Sequence, residues 1–332
     1  MKKIFIRAGL LLLLCRITTS CPAEDVVPVN NSDYGSILER EIALTRKNIY
    51  IIHYSFYDSG IPGKLIKLLK DASIKGVDVK ILLDDNSRHS KSFIKKYSSY
   101  FKIKLDSPEK TTHCKLIIFD SNRVLIGSTN LSDNSIRNNN ETNVLIYSQD
   151  TATYFADYFK EMWRKSDEDI TIVKNGPASI EPIADRGIYP ALISLISETK
   201  DRLYVCAYIV NSDPEKPDNK TKSILDEIIK AKNRGVEIKF IMEKNDTDDY
   251  VNAINKNTFD YLKKNGIDVR FDNPETITHA KLLISDNKVM LGSANWGYGG
   301  LNLYHESGVI INIPDVTAGY AVYFNELWKN SK

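Results

Sequence analysis

The sequence predicts an α/β protein made of two similar α/β/α sandwich domains, each with a mixed sheet flanked by helices, related by a pseudo-twofold axis. Three observations lead to this fold class. The 332 residues suffice for about two domains of ordinary size. Apolar strand-like runs alternate with helical patterns of about 10 to 15 residues, which is typical of sheets covered by helices. Several segments also occur twice in the same order, and the later ones are 165 residues apart.

The repeat predicts the order of elements in each half. Segment 48–54 resembles 202–208, each a strand-like run after a helical segment, and 75–81 resembles 234–240, where a helix ends at glycine and a strand begins. An aromatic helical pattern at 158–163 returns at 323–328 and predicts core packing. Each half therefore contains helix, strand, helix, strand, a further helix, a hairpin of two strands, another strand and a closing helix.

Breaks in this pattern predict the boundaries. We expect a signal peptide at 1–22, a first domain at 25–168 and a second domain at 169–332. The linker falls within 166–179, where an acidic run at 167–169 and Asn-Gly-Pro at 175–177 interrupt the helical periodicity.

The N-terminus has a pattern typical of export. Lys2, Lys3 and Arg7 precede a short apolar run at 10–14, and small residues follow before an acidic pair. The apolar run is short for a membrane span. We therefore predict an exported protein, periplasmic or secreted. An uncleaved membrane anchor, a lipid attached to Cys21 and a cytosolic tail stay open as alternatives.

The charge of the chain depends on this segment. With residues 1–20 removed, 41 basic residues face 43 acidic ones, so the formal charge changes from +2 to −2. Proteins that bind long duplex DNA usually have a strongly basic surface, which this composition does not indicate. A local basic groove is compatible with it.

Two copies of one polar motif identify the candidate site. Polar residues at matched spacing are not what a core requires, because burial disfavours them. We therefore predict two half-sites that meet on the pseudo-twofold axis. The residues of the first copy and then of the second are His113, Lys115, Asp120, Gly127, Ser128, Asn130 and Glu141, followed by His279, Lys281, Asp286, Gly292, Ser293, Asn295 and Glu306.

The residue types in the motif suit chemistry at a phosphate group. In a strand that begins at His113, its ring and the ammonium of Lys115 would share one face and Cys114 the other. Two lysines and two asparagines could stabilise the negative charge of a phosphoryl transition state. One imidazole could attack phosphorus while the other protonates the leaving oxygen. Glu141 and Glu306 would each hydrogen-bond one histidine ring. The sequence shows no cluster with metal-ligand spacing.

The pattern His-x-Lys-x4-Asp-x6-Gly-Ser-x-Asn at 113–130 resembles the HKD motif of the phospholipase D superfamily. It recurs at 279–295 with one residue fewer between Asp and Gly, and the resemblance covers essentially 27–330. It implies the phospholipase D fold and a phosphodiesterase that works through a covalent phosphohistidine, without a metal or other cofactor.

The resemblance also implies a role for each motif residue. His113 would be the nucleophile and His279 the general acid. The shorter turn after Asp286 casts doubt on its equivalence to Asp120. The implied phosphate-binding residues are Lys115, Lys281, Asn130 and Asn295, supported by Ser128 and Ser293. The residues expected to be structural are Asp120, Asp286, Gly127 and Gly292.

The substrate is less constrained than the reaction. The family acts on phosphodiesters of lipids and nucleic acids and includes phospholipid synthases. Gly-Ser-x-Asn in both copies, instead of Gly-Gly-x-Asn, disfavours a synthase, as does the lack of a pair of transmembrane segments. Export and the mature charge favour hydrolysis of a phospholipid to phosphatidate and an alcohol, with a nuclease acting on DNA or RNA as the alternative. Since both motifs are complete, a non-catalytic binding protein is disfavoured. We expect a monomer that meets its phospholipid at a membrane surface.

Other polar and aromatic residues are weaker candidates. His53 and His89 have no repeated counterpart and are expected to be structural or on the surface. His305 precedes Glu306, so a place at the rim of the site is conceivable. Packing within a loop is favoured over stacking on a base or a choline head group for Trp296, Tyr298 and Tyr304.

Overall fold

A computed structural model of the chain describes residues 25–172, 179–213, 215, 218–246 and 248–332. The predicted signal peptide at 1–22, including Cys21, lies outside these residues. Among the helices that the structure describes, none is both long and apolar enough to cross a membrane.

The first half forms a seven-stranded mixed sheet covered by helices. Its strands are β1 (Asp25–Asn30), β2 (Asn48–His53), β3 (Asp78–Leu83), β4 (Lys102–Leu105), β5 (Lys115–Phe119), β6 (Arg123–Gly127) and β7 (Thr142–Tyr147). Its helices are α1 (Asp33–Leu44), α2 (Gly60–Ile74), α3 (Arg88–Tyr97), α4 (Asp133–Arg137) and α5 (Gln149–Arg164). The strand order is β1-β7-β6-β5-β2-β3-β4. Strands β2, β3 and β4 are parallel, and the other pairs are antiparallel.

The second half repeats this topology. Its strands are β8 (Ile180–Ala184), β9 (Arg202–Ala207), β10 (Glu237–Met242), β11 (Asp268–Phe271), β12 (Lys281–Ser285), β13 (Lys288–Gly292) and β14 (Ser307–Ile311). Its helices are α6 (Ile188–Glu198), α7 (Lys220–Asn233), α8 (Asp249–Lys264) and α9 (Pro314–Asn330), with a 3₁₀ turn at Asp185–Gly187 and a π-helical turn at Gly299–Leu303. The order β8-β14-β13-β12-β9-β10-β11 matches the first sheet strand for strand.

Alternation along the strands divides the apolar side chains among three cores. In β5, Leu116 and Ile118 face a core shared by both sheets, whereas Ile117 and Phe119 face the core under α1, α2 and α3. In the second half, Leu282 faces the shared core. Each fully buried aliphatic side chain contributes about 1.5–3 kcal/mol to folding. The two predicted domains are thus α/β sandwiches that share a central apolar layer.

The closing helices α5 and α9 lie in that shared layer, as their aromatic pattern predicted. Tyr158 of α5 is fully buried, and its hydroxyl donates to Asp185 Oδ1 at 2.7 Å. Tyr323, its counterpart in α9, donates to Asn31 Oδ1 at 2.9 Å. Each closing helix therefore anchors the residue that follows the first strand of the other half.

Several elements differ from those predicted. The edge strands β1 and β8, the strands β4 and β11 and the short helix α4 were not predicted. Strand β1 contains Pro28, which the sheet accommodates because β1 pairs only with β7 and leaves its other edge open. Strand β4 has four residues, none of them fully buried, so its apolar signal is weak.

The described residues do not fix the position of the boundary between the halves. Helix α5 ends at Arg164 and β8 begins at Ile180, and residues 173–178 between them lie outside the described residues. The division at 168 and 169 stays a prediction.

Candidate active site

Each motif histidine lies just before a strand, in a short backbone bridge to the other half. Thr112 pairs with His305 in a parallel bridge, in which His113 N donates to His305 O at 2.8 Å and His305 N donates to Thr111 O at 2.9 Å. The prediction that the strand begins at His113 was wrong, because β5 begins at Lys115. The backbone of His113 therefore pairs with the other half of the protein and not with a neighbouring strand of its own sheet.

The second bridge repeats the first. Asn140 N donates to Ile277 O, and His279 N donates to Asn140 O, both at 2.9 Å. Because His305 and Asn140 directly precede Glu306 and Glu141 in the chain, the bridges place each histidine beside the glutamate of the other half.

The histidines and glutamates form two crossed pairs. Glu306 Oε1 lies 2.9 Å from His113 Nδ1, and Glu141 Oε2 lies 3.0 Å from His279 Nδ1. A carboxylate accepts a hydrogen bond from Nδ1, which leaves Nε2 as the ring atom free to attack phosphorus or to transfer a proton. The glutamates thus orient both rings, as predicted, and they do so across the interface.

The motif serines hold these glutamates. Ser128 Oγ donates to Glu141 Oε2 at 2.5 Å and accepts from Thr142 N at 2.9 Å, and Ser128 is fully buried. Ser293 Oγ donates to Glu306 in the same way. The structure thus corrects the prediction that the two serines support the phosphate directly. Their hydroxyls are already engaged, so Ser128 and Ser293 position the glutamates.

The motif glycines allow neighbouring strands to approach closely. A Cβ atom on Gly127 would lie 2.3 Å from Thr142 O, and one on Gly292 would lie 2.4 Å from Ser307 O. Both glycines are therefore structural, as expected, and the group that they admit is the backbone of the strand after the glutamate. A ligand is not needed to explain them.

Two buried lysines supply positive charge. Lys115 Nζ donates to His113 O and Lys281 Nζ donates to His279 O, both at 2.6 Å. Burial lowers the pKa of Lys115 to about 8 and that of Lys281 to about 7, and the charge of Lys115 further lowers the pKa of Lys281. Two buried ammonium groups that repel each other favour a bound anion, which would offset their charge.

The surroundings of both histidines favour the neutral form of the ring. Burial lowers the pKa of His279 to about 4 and also lowers the pKa of His113, although the neighbouring glutamate opposes both shifts. Burial would raise the pKa of Glu141, but the charges of His279 and Lys281 and the hydrogen bonds lower it to about 2. A bound phosphate diester would favour protonation of one ring, because it adds negative charge.

The motif asparagines have unsatisfied amide groups. The Oδ1 atoms of Asn130 and Asn295 are buried and have no hydrogen-bond partner in the protein. Asn295 lines a cavity of about 30 Å³ together with Lys281. An amide oxygen only accepts hydrogen bonds, so a phosphate oxygen would have to be bound by the Nδ2 groups of these two residues. The phosphate-binding role of Asn130 and Asn295 stays a prediction.

The motif aspartates are structural and equivalent. Asp120 Oδ1 accepts hydrogen bonds from Lys47 N and Asn48 N, and Asp286 Oδ1 accepts from Asp201 N and Arg202 N. Both aspartates have positive φ, 53° and 49°. The doubt about Asp286 was wrong: the shorter turn preserves its contacts with the segment before β9.

Two tyrosines beside the histidines were not predicted as site residues. The rings of Tyr54 and His113 meet edge to face with centroids 5.9 Å apart, and those of Tyr208 and His279 do so at 4.7 Å. The repeat of 48–54 in 202–208 ends at these two tyrosines, so it contained the signal that could have identified them.

His305 is not at the rim of the site. It is fully buried, with Nδ1 2.9 Å from Asp185 Oδ2 and Nε2 2.9 Å from Ser166 O. Both ring nitrogens therefore face acceptors, and Asp185 raises the pKa of His305 although burial opposes this. The first half has Asn31 and Asn140 at the corresponding places, so this buried His–Asp pair is a difference between the half-sites.

The other weak candidates have mostly structural surroundings. His53 is fully buried and pairs with Lys115 across β2 and β5, and His89 lies against Tyr57 with ring centroids 4.1 Å apart. Trp296 packs against Phe240 in the second outer core, which confirms loop and core packing for this residue. Tyr304 approaches the site, with its ring centroid 6.3 Å from that of His113.

Within the described parts of the chain, no group of three or more His, Cys, Asp and Glu side chains is arranged to hold a metal ion. Cys114 and Cys206 are both buried and free.

Two α/β halves with crossed His–Glu pairs and buried lysines at their interface define the class of the protein, which is the phospholipase D superfamily. The family model described as "Cardiolipin synthase, PLD-like domain" matches residues 38–163 and 192–328. Because these ranges cover most of the chain, it belongs to that family.

Curated relatives include an uncharacterized protein of Streptococcus mutans, 22% identical over 89% of this chain and 69% of its own length. A cardiolipin synthase of Clostridium perfringens is 23% identical over 82% of this chain and 63% of its own. A phospholipase D of Rickettsia typhi is 32% identical over 36% of this chain and 58% of its own. The chain thus spans about two thirds or less of the relatives that it matches.

Solved structures share the fold. A phosphatidylserine synthase of Haemophilus influenzae superposes with a TM-score of 0.75 at 12% identity, over 93% of this chain and 86% of its own. A polyphosphate kinase of Porphyromonas gingivalis reaches a TM-score of 0.64 at 14% identity, over 91% of this chain and 46% of its own. At these identities the likeness establishes the fold alone.

Proposed function

We propose that the protein is a metal-independent phosphodiesterase of phospholipase D type, which cleaves a phospholipid to phosphatidate and an alcohol. The observation that carries this proposal is the pair of crossed His–Glu contacts, since each half completes the catalytic group of the other. The buried lysines between them provide the charge that a phosphoryl transition state needs.

The proposed reaction has two steps. His113 Nε2 attacks phosphorus and forms a covalent phosphohistidine, while the bond from phosphorus to the head-group oxygen breaks and His279 donates its proton to that oxygen. A water molecule then gives a proton to His279 and attacks phosphorus, which releases phosphatidate and His113. Glu306 stabilises the positive charge on the phosphorylated ring, and Glu141 holds the ring of His279.

The remaining roles follow from placement. Lys115 and Lys281 neutralise the phosphate oxygens throughout, and their charge disfavours protonation of the histidine rings when no phosphate is bound. Asn130 and Asn295 donate hydrogen bonds from Nδ2 to the phosphate oxygens. No step uses a metal ion, and we expect activity to persist in EDTA.

A phospholipid is the favoured substrate for two reasons. The named relatives in this family are cardiolipin synthases and phospholipases D, and a phosphatidylserine synthase has the same fold. The predicted export and the mature charge also favour a lipid over long nucleic acids. Because synthases occur among the relatives, an alcohol could replace water in the second step. A nuclease with the same mechanism is the alternative.

The test is a parallel assay of the purified protein in EDTA. Phosphatidylcholine, phosphatidylethanolamine, single-stranded DNA and duplex DNA are supplied separately, and a primary alcohol is added to the lipid reactions. We expect phosphatidate from the lipids and a phosphatidyl alcohol when the alcohol is present. DNA cleavage without lipid turnover would establish the nuclease instead, and a strict need for a divalent ion would contradict the mechanism.

Export, a monomeric state and action at a membrane surface complete the proposal. Cell fractionation with and without residues 1–22 would test export, and the mass in solution would test the monomer.

A further inference from the structure

The two glutamates of the site differ in the number of hydrogen bonds that they accept. Besides His279 and Ser128, Glu141 accepts from Ser135 Oγ at 2.5 Å and from Asn139 Nδ2 at 3.2 Å. Among the hydrogen bonds of the described residues, the carboxylate of Glu306 accepts from His113 and Ser293. The halves agree in strand order and motif, so this difference stands out against the repeat.

The difference is fixed by the backbone after each motif asparagine. Ser135 belongs to helix α4, whereas the residue 165 positions later is Gly300, in the π-helical turn. A Cβ atom on Gly300 would point toward Glu306 and lie 3.3 Å from its Oε1. It would also lie 2.4 Å from Asn295 O, so no side chain fits there without a shift of the backbone.

We propose that Ser135 and Asn139 are positioning residues. Their hydrogen bonds make the carboxylate of Glu141 less basic, so that it stabilises the protonated ring of His279 less. Hydrogen bonds to a carboxylate stabilise its negative charge and reduce its basicity. A glutamate with two extra donors therefore holds the imidazolium proton less tightly. Glu306 keeps more of its basicity for His113.

This difference suits the roles in the proposed reaction, on which the inference rests. A general acid must release its proton to the leaving oxygen. Weak stabilisation of the protonated ring is therefore an advantage at His279. A nucleophile that becomes positively charged on phosphorylation gains from a strongly basic carboxylate, which His113 has in Glu306.

Other charges around the pair must be constant for a test of this idea. His279 faces Glu141, Lys281 and Lys115, and its ring also contacts Tyr208. The titratable groups that interact electrostatically with Glu141 are His279, Lys281, Lys115, His53, Tyr34, Tyr208 and Tyr323. Neither Ser135 nor Asn139 carries a charge, so their removal leaves this set unchanged.

The experiment titrates the histidine rings by NMR in the full-length protein. Ser135→Ala and Asn139→Ala each remove one donor, and we expect each to raise the pKa of His279 by about half a unit and both together to raise it by about one. The pKa of His113 should not change. The basic limb of the kcat/KM profile should move to higher pH in the same order.

Ser132→Ala is the matched control. Ser132 caps α4 by accepting from Ser135 N at 3.3 Å, and it is not among the described residues that donate to the Glu141 carboxylate. Its loss weakens the helix but should leave the titration of His279 as in the wild type. If Ser135→Ala does not fold, Asn139→Ala alone decides.

An unchanged pKa of His279 in the donor variants would overturn the proposal, as would an equal shift in Ser132→Ala. Because the titration needs no substrate, it tests the role of Ser135 and Asn139 independently of the proposed function. A protein that turns over none of the substrates refutes the proposed function, while the shift of the His279 titration still decides the role of Ser135 and Asn139.

Discussion

At the scale of single residues, each histidine has its carboxylate partner in the other half of the chain. Replacement of Glu306 by glutamine keeps the shape of the side chain and removes its charge. We expect Glu306→Gln to lower the pKa of His113 further, because the charge that favours its protonated form is lost. Turnover should fall by about 10²- to 10³-fold, as for the loss of a group that assists proton transfer. NMR titration and steady-state kinetics measure the two effects.

Glu141→Gln is the mirror experiment and the control. It should lower the pKa of His279 and leave that of His113 unchanged. If Glu306→Gln instead changed the titration of His279, the crossed pairing would be wrong.

The lowered pKa values of the two lysines predict how anion binding depends on pH. The pKa of Lys281 is lowered to about 7 and that of Lys115 to about 8, so both lose their charge as the pH rises from 6 to 9. Sulfate keeps its charge over this range, which makes it a suitable competitive inhibitor. Its inhibition constant should rise by about tenfold or more. A constant value across the range would show that the lysines do not hold the anion.

Sequence reasoning identified the motif residues but not all their contacts. Side-chain types and spacing were sufficient to single out His113, Lys115 and their counterparts. The partner of each histidine could not be predicted, because both glutamates have the same place in their repeats and only the interface decides between them. Ser128 was misassigned because a hydroxyl suits a phosphate and a carboxylate equally well.

At the scale of elements, the close approach of β6 to β7 and of β13 to β14 depends on glycine. Gly127→Ala would put Cβ 2.3 Å from Thr142 O and 2.5 Å from Asn143 Cα. We expect a loss of stability of about 1–3 kcal/mol or more, since the strands must separate. The midpoint of urea unfolding measures it.

Gly297→Ala is the control for this prediction. Its Cβ would meet Asn211 Cβ at 3.6 Å, an ordinary contact. The account of the glycines would fail if both substitutions had the same small effect on the urea midpoint.

The elements that were predicted are long and strongly patterned, and those that were missed are short. Helix α5, with 16 residues, has a continuous buried face that the sequence shows directly. Strands β4 and β11 have four residues each, with exposed or half-buried ends. Their strand conformation therefore depends on pairing with β3 and β10 and not on a local sequence pattern. Helix α4 has five residues and was likewise missed.

At the scale of the whole molecule, the buried pair of His305 and Asp185 breaks the symmetry of the halves. The pKa of His305 is raised in the folded protein, so its contribution to stability is fully present below about pH 6.5 and is lost as the pH rises through the raised value. His305→Asn, which copies Asn140 of the first half, should remove this dependence. The difference in urea midpoint between the wild type and the variant should shrink from pH 6 to pH 9.

An equal difference at both pH values would mean that His305 is neutral in the folded protein. This pair could not be predicted from the sequence. Asp185 and His305 are 120 positions apart, and only the pairing of β14 with β8 brings them together. The overall duplication, by contrast, could be predicted because whole segments recur in the same order in both halves.

The central claim is that the two halves form one catalytic centre and not two. The most direct test compares the turnover of His113→Ala, His279→Ala and the double variant on the best substrate of the parallel assay. If the histidines act as a unit, each single variant should lose as much activity as the double variant. Two single variants that each keep about half of the wild-type rate would show two independent sites and would contradict the account.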